Sequence, residues 1–171
     1  MADGILTRRG GGSSIKSVQT ILVPGMSSTP VLTINKVDPD YSIILAGNTL
    51  ISYFYGGDGV MNGVSFSSST EITINAPRIR RSMLIIIEFE PSAVKSNQRG
   101  IYYATNSSEV VTINEVNLSK CIMSCFASTG DNDNNPIVGG ITAFTPTSIS
   151  IMHGYSTTSR RPISWQVLEL K

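Results

Sequence analysis

The chain carries a second copy of its own pattern. Displaced by 79 positions, Lys16-Ser17-x-Gln19 falls on Lys95-Ser96-x-Gln98. The same displacement lays Val31-Leu32-Thr33-Ile34-Asn35-Lys36-Val37 on Val110-Val111-Thr112-Ile113-Asn114-Glu115-Val116. From Ile15 to Ile44, ten of thirty positions are identical without a gap. A displacement of 77 then matches Gly63-Val64-Ser65 to Gly140-Ile141-Thr142, and Thr70-x-Ile72-Thr73-Ile74 to Thr147-x-Ile149-Ser150-Ile151. A displacement of 80 pairs Arg80-Arg81 with Arg160-Arg161, and the closing strands align in no unique way. The drift in offset marks insertions in loops, where changes of length are best tolerated. A chain built this way must fold as two copies of one supersecondary unit. The expected organisation is an N-terminal arm (1–13), unit one (14–91) and unit two (92–171).

Each copy reads as short strands. In unit one these are Ile15–Val23, Val31–Val37, Ser42–Ala46, Leu50–Tyr55, Val64–Ser67, Glu71–Asn75 and Ser82–Glu90, with breakers such as Pro24-Gly25, Asp38-Pro39-Asp40 and Gly56-Gly57-Asp58-Gly59 between them. Leu32 and Ile34 alternate with Thr33 and Asn35, as Val111 and Ile113 do with Thr112 and Asn114. About seven strands with frequent turns is the pattern of a small sandwich or barrel. Only 15% of residues are charged while 40% are hydrophobic, which suits neutral-polar strands and argues against long solvated helices. The expected fold class is all-β: two tandem small antiparallel β-sandwich or barrel-like units without significant helix.

The same numbers exclude several functions. A net charge of +1 supplies no field for nucleic acid or anionic membranes. The longest apolar run, Met83–Ile87, is far short of the roughly 20 residues that span a bilayer. The opening residues lack the apolar segment of a secretory signal. Cys121 and Cys125 on one strand would lie about 13 Å apart at ~3.3 Å per residue, too far for a disulfide. They read as reduced, buried thiols of a protein made in a cytoplasm.

Groups able to carry chemistry are few. His153 is the single histidine and reads as a turn residue, with no Ser or Cys in a nucleophile context beside it. Glu88 and Glu90 alternate on the last strand of unit one, roughly 6–7 Å apart, a spacing that could serve a glycosidase pair. They read instead as the wet face of a strand whose Ile87 and Phe89 point inward. Asp131, Asp133 and Asn135 have the spacing that opens a calcium loop, but Pro136 stands where Gly is needed and Thr142 where a bidentate Glu is needed. An exposed polar turn is the expectation, with no metal and no cofactor. The same loop, with Asp58 and Asn62 in unit one, could instead recognise sugar hydroxyls. Trp165 reads as a core indole. Arg78, Arg80, Arg81, Arg160 and Arg161 are too few for a phosphate-tracking groove and suit carboxylates or turn carbonyls.

Two features point to assembly. Met83–Ile87 is apolar on both faces, whereas a sandwich strand normally leaves one face wet. Its second face is covered either by the sister unit or by another subunit, with Leu84 and Ile86 as interface candidates. The Gly-rich arm is either a free terminus or a peptide that orders against a neighbour, Ile5 and Leu6 anchoring it and Arg8 and Arg9 pairing with acidic groups.

The run Ile15-Lys16-Ser17-Val18-Gln19, then Thr33-Ile34 with Val37-Asp38-Pro39, and the closing Ser164-Trp165-Gln166-Val167-Leu168-Glu169-Leu170 resemble modules of structural proteins in tailed bacteriophages and prophages. Those modules carry an SVQRG opening and a closing strand of the form S-W-Q-V-x-E. Here the opening is split between Ser17-Val18-Gln19 and Gln98-Arg99-Gly100, and the closing motif is whole only in unit two. The resemblance implies a non-enzymatic virion component (tail, neck, fibre or head decoration). It would be made in a bacterial cytoplasm and used as a homo-oligomer beside other virion proteins. The alternative is a fibre-tip module that binds a host receptor or surface glycan.

Overall fold

The computed structural model describes residues 14–23, 31–46, 63–75, 82–103, 108–126, 140–152 and 162–171. In unit one these form β1 (Ile15–Val23), β2 (Val31–Thr33), β3 (Ser42–Ala46), β4 (Val64–Ser68), β5 (Glu71–Ile74) and β6 (Ser82–Phe89). Unit two repeats them as β7 (Val94–Tyr103), β8 (Ser108–Thr112), β9 (Cys121–Phe126), β10 (Gly140–Thr145), β11 (Ser148–Met152) and β12 (Pro162–Leu170). Sheet order is β1-β6-β3 and β2-β5-β4 in the first unit, β7-β12-β9 and β8-β11-β10 in the second, and every pairing is antiparallel. The all-β reading holds, with four three-stranded sheets in two similar pairs. Among the described residues the only helical segments are 3-10 turns at Pro39–Tyr41, Pro91–Ala93 and Leu118–Lys120.

The strand expected over Val31–Val37 pairs only as far as Thr33. Beyond it the chain swings away from β5, so that Ile34 and Val37, three apart, both turn inward and are buried. Their amides stay paired, Ile34 N–H with Thr70 C=O at 2.9 Å and Val37 N–H with Ser69 C=O at 2.9 Å. Unit two does the same with Ile113 to Thr147 at 3.0 Å and Val116 to Pro146 at 2.9 Å. Asp38 and Asn117 then cap the 3-10 turns through their side chains. The expected strand at Leu50–Tyr55 lies outside the described residues.

Each unit closes over its own apolar core. Ile21, Ile44, Leu84 and Ile86 of one sheet meet Val64, Ile72 and Ile74 of the other in unit one. Ile163 and Val167 meet Ile149 and Ile151 in unit two. A third cluster joins the units: Ile43, Ile87 and Phe89 pack against Val94, Ile122 and Leu168. The two sheets that hold the long strands thus face each other, and unit two covers the outer side of β6 at Ile87, while Met83 and Ile85 stay partly exposed. This corrects the placement of Leu84 and Ile86 at a subunit interface. At 0% and 1% exposed they point into the core of unit one, and Ile87 is the residue that reaches the sister unit. Full burial of each such side chain contributes about 1.5–3 kcal/mol.

The fold also fixes the register of the closing strands, which the sequence leaves open. Glu88 and Glu169, 81 positions apart, accept from equivalent partners, so β6 maps onto β12 with Leu84 on Trp165. Leu84 pairs with Ile21, and Trp165 with Gly100. A Cβ on Gly100 would lie 2.9 Å from the indole Cζ2, so unit two has exchanged a two-aliphatic pair for one large ring over one bare backbone.

Candidate functional site: the duplicated carboxylate clamps and the joint between units

The most conspicuous polar constellation is present twice. Glu88, buried on β6, accepts from Lys16 Nζ at 2.8 Å, Ser17 Oγ at 3.0 Å and the Asp38 amide at 3.1 Å. Glu169, buried on β12, accepts from Lys95 Nζ at 2.9 Å, Ser96 Oγ at 3.2 Å and the Asn117 amide at 2.9 Å. Each carboxylate ties the first strand of its unit and the turn after the second strand to the closing strand. A second clamp lies beside each. Gln19 donates to Asn35 C=O at 3.0 Å and accepts from Asn35 N–H at 3.0 Å. Gln98 donates to Asn114 C=O at 3.0 Å and accepts from its N–H at 2.7 Å. The repeated Lys-Ser-x-Gln therefore exists to serve a Glu and a looping backbone. A third equivalence crosses chemistry: Ser42 Oγ donates to Asp38 C=O at 2.7 Å, and Cys121 Sγ to Asn117 C=O at 3.2 Å.

Burial pushes the Glu88 carboxyl up, but Lys16, the Asp38 amide and Ser17 outweigh it and hold the pKa below the usual 4.5. For Glu169 the Asn117 amide acts most strongly, then Lys95, and the pKa is again lowered despite burial. A carboxylate held by fixed donors is a poor proton donor. The expected wet face is corrected: Glu88 is buried, because the Lys16 and Ser17 side chains and a main-chain amide replace water around it. Glu90 lies past the end of β6, exposed, with its amide bonded to Ser14 C=O at 2.8 Å.

The units meet at a second polar site. Gln166 on β12 accepts from the Ile44 amide at 3.3 Å and donates to Ser42 C=O and to Asn97 Oδ1. Asn97 donates to the carbonyls of Pro39, Asp40 and Ser42 at 3.1–3.2 Å. Arg99 donates to Pro39 C=O and pairs with Asp40 at 2.8 Å. Here the face of the β7-β12-β9 sheet supplies the hydrogen bonds that the outer edge of β3 lacks in its own sheet. Beside it, Phe66, Phe126, Ser124 and Trp165 line a cleft of about 200 Å³ between the units, with Ser164, whose buried Oγ has no protein partner.

Of the expected site residues, Ile5, Leu6, Arg8 and Arg9 lie outside the described residues. So do Asp58, Asn62, Asp131, Asp133, Asn135, His153 and the five arginines flanking the closing strands. Trp165 packs against the unit-two core, half-buried. Cys121 and Cys125 are free thiols on β9, half-buried rather than buried, because β9 is an edge strand. Among the described residues no three metal-ligating side chains cluster. The residues that hold the molecule together include Gln19, Gln98, Asn97, Arg99, Gln166 and Glu169, none of which is named as a site from the sequence. For all but Asn97 the signal is present, since they lie in the repeated, opening or closing motifs. No family model, curated protein or solved structure matches the chain.

Proposed function

We propose that the chain is a non-enzymatic structural component of a tailed-bacteriophage particle, in its tail, neck, fibre or head decoration. It is made in the bacterial cytoplasm and incorporated as a symmetric multimer alongside other virion proteins. The observation that carries this reading is the use of the recurring motif. Lys-Ser-x-Gln and the closing Glu, the residues through which the chain resembles virion modules, are spent on holding strands together in both units. None is left free to act on a substrate. Two rigid β units joined through a polar and an apolar contact make a stiff building block, and copies in an array gain avidity that one contact lacks. The arm 1–13 docks the block to its neighbour.

Peptide mass spectrometry of particles purified from the bacterium that encodes the chain tests the reading. The chain is expected in fixed ratio to other particle proteins, and lost from particles when residues 1–13 are deleted. Its absence from intact particles would overturn the assignment.

A further inference from the structure

One buried side chain at the joint takes no part in holding it. On β12, Ile163 and Val167 enter the core of unit two, so the alternate residues Ser164, Gln166 and Leu168 face unit one. Gln166 bonds β3, and Leu168 shares a cluster with Ile43 and Phe89. Ser164 does neither. It is 4% exposed, and its Oγ, able to donate one hydrogen bond and to accept others, has no partner among the described residues. A buried polar group left unpaired is costly, so it marks a place that something else completes. The strand itself does not require a serine there, since the equivalent position in unit one holds Met83.

The cleft that Ser164 lines narrows what the partner is. Its volume is about 200 Å³. Ile44, Val64 and Phe66 of unit one wall one side, and Ile101 and Phe126, which flank Ser164 on β7 and β9, wall the other. An apolar cavity of ~150 Å³ takes a benzene ring, so there is room for one six-membered ring with a small substituent. Water suits the cleft poorly, because several molecules would enter and each needs about two to four polar partners. An ion finds no counter-charge, since Arg99 is paired with Asp40 and Gln166 is committed to Ile44, Ser42 and Asn97. Ser65 and Ser124 also line the cleft but are partly exposed, within reach of solvent. A sugar ring would bury several hydroxyls against the single one that is unpaired. We propose that the cleft binds a neutral aromatic ring carrying one hydroxyl, a phenol, whose ring packs on Phe66, Phe126 and the aliphatic wall while its hydroxyl bonds Ser164 Oγ. A free phenol and a tyrosine side chain of another protein offer this same chemistry. The site is separate from the duplicated clamps and independent of the particle assignment.

The test uses the full chain. Trp165 lines the cleft and is the single tryptophan, so its emission, excited where phenols do not absorb, reads occupancy. p-Cresol is expected to shift that emission saturably and to bind about tenfold more tightly than toluene, which has the ring without the hydroxyl. Ser164→Ala should abolish the difference between the two ligands. Without ligand this variant should melt no lower than the parent chain, because it sheds an unpaired hydroxyl. Binding of N-acetyltyrosinamide as well as p-cresol would assign the site to a tyrosine of a partner protein, and binding of p-cresol without it to a free phenol. No saturable response, equal binding of toluene and p-cresol, or a preference for glucose would overturn the proposal. So would a Ser164→Ala variant that keeps the preference for p-cresol, or that melts well below the parent chain and so shows the hydroxyl serving the fold.

Discussion

Glu88 and Glu169 are the same residue met twice. Each is a buried carboxylate on a closing strand, gripped by a lysine, a serine and a capping residue's amide from its own unit. The lysines are half in water, at 50% and 58% exposed, and the carboxylates are not. At Glu169 the fixed Asn117 amide acts most strongly on the buried charge, whereas at Glu88 the half-solvated Lys16 leads among the donors.

Glu169→Ala should for that reason cost about 3 kcal/mol, since it strands the Asn117 amide and the Ser96 hydroxyl. Lys95→Met, which removes only the solvated partner, should cost much less. Urea denaturation of the two variants checks the order.

Acid should unfold the protein through these two sites. Their folded-state pKa values lie below the ordinary 4.5, so the unfolded chain binds more protons as the pH drops. The stabilisation is complete above the unfolded value and is lost as pH falls through the depressed folded values. The urea midpoint should hold above the ordinary carboxyl range and decline as the pH falls through and below 4.5, and Glu169→Gln should flatten that decline.

Gly100 and Trp165 make a second pair open to test. Gly100→Ala should destabilise by about 1–3 kcal/mol, because the new methyl meets the indole at 2.9 Å and the ring is packed in place. Adding Trp165→Leu, which moves the pair towards the Ile21–Leu84 arrangement of unit one, should recover part of the loss. Thermal melts of the single and double variants measure the coupling.

The thiol of Cys125 is pushed up to about 11 by burial, so about one in a thousand is thiolate at pH ~8. Alkylation by iodoacetamide should be slow in the native protein and speed up sharply in urea. Peptide mapping of modified Cys125 reads the difference.

Gln19 is buried, while its counterpart Gln98 is partly exposed. Gln19→Ala should cost about 1–3 kcal/mol by leaving both Asn35 backbone groups unpaired, and Gln98→Ala less, since water can reach Asn114. Denaturant midpoints of the two variants make the comparison.

The amino-acid sequence alone determined the duplication and most of the strands. A copied chain must bury its apolar positions in the same way twice, and period-two alternation shows on any strand with one wet face. Ile15–Val23 is legible to the residue for that reason, and Ser42–Ala46 from the breakers on either side of it. Glu88 was misread by the same rule: alternation says which residues share a face, and only the packed molecule says what the face meets. Lys16, Ser17 and the Asp38 amide arrive at that carboxylate from fifty or more positions away. Their convergence, the one-residue change of register that maps β6 on β12, and the grip of Asn97 and Gln166 on β3 belong to the tertiary structure. Each rests on hydrogen bonds between groups that local pattern cannot bring together.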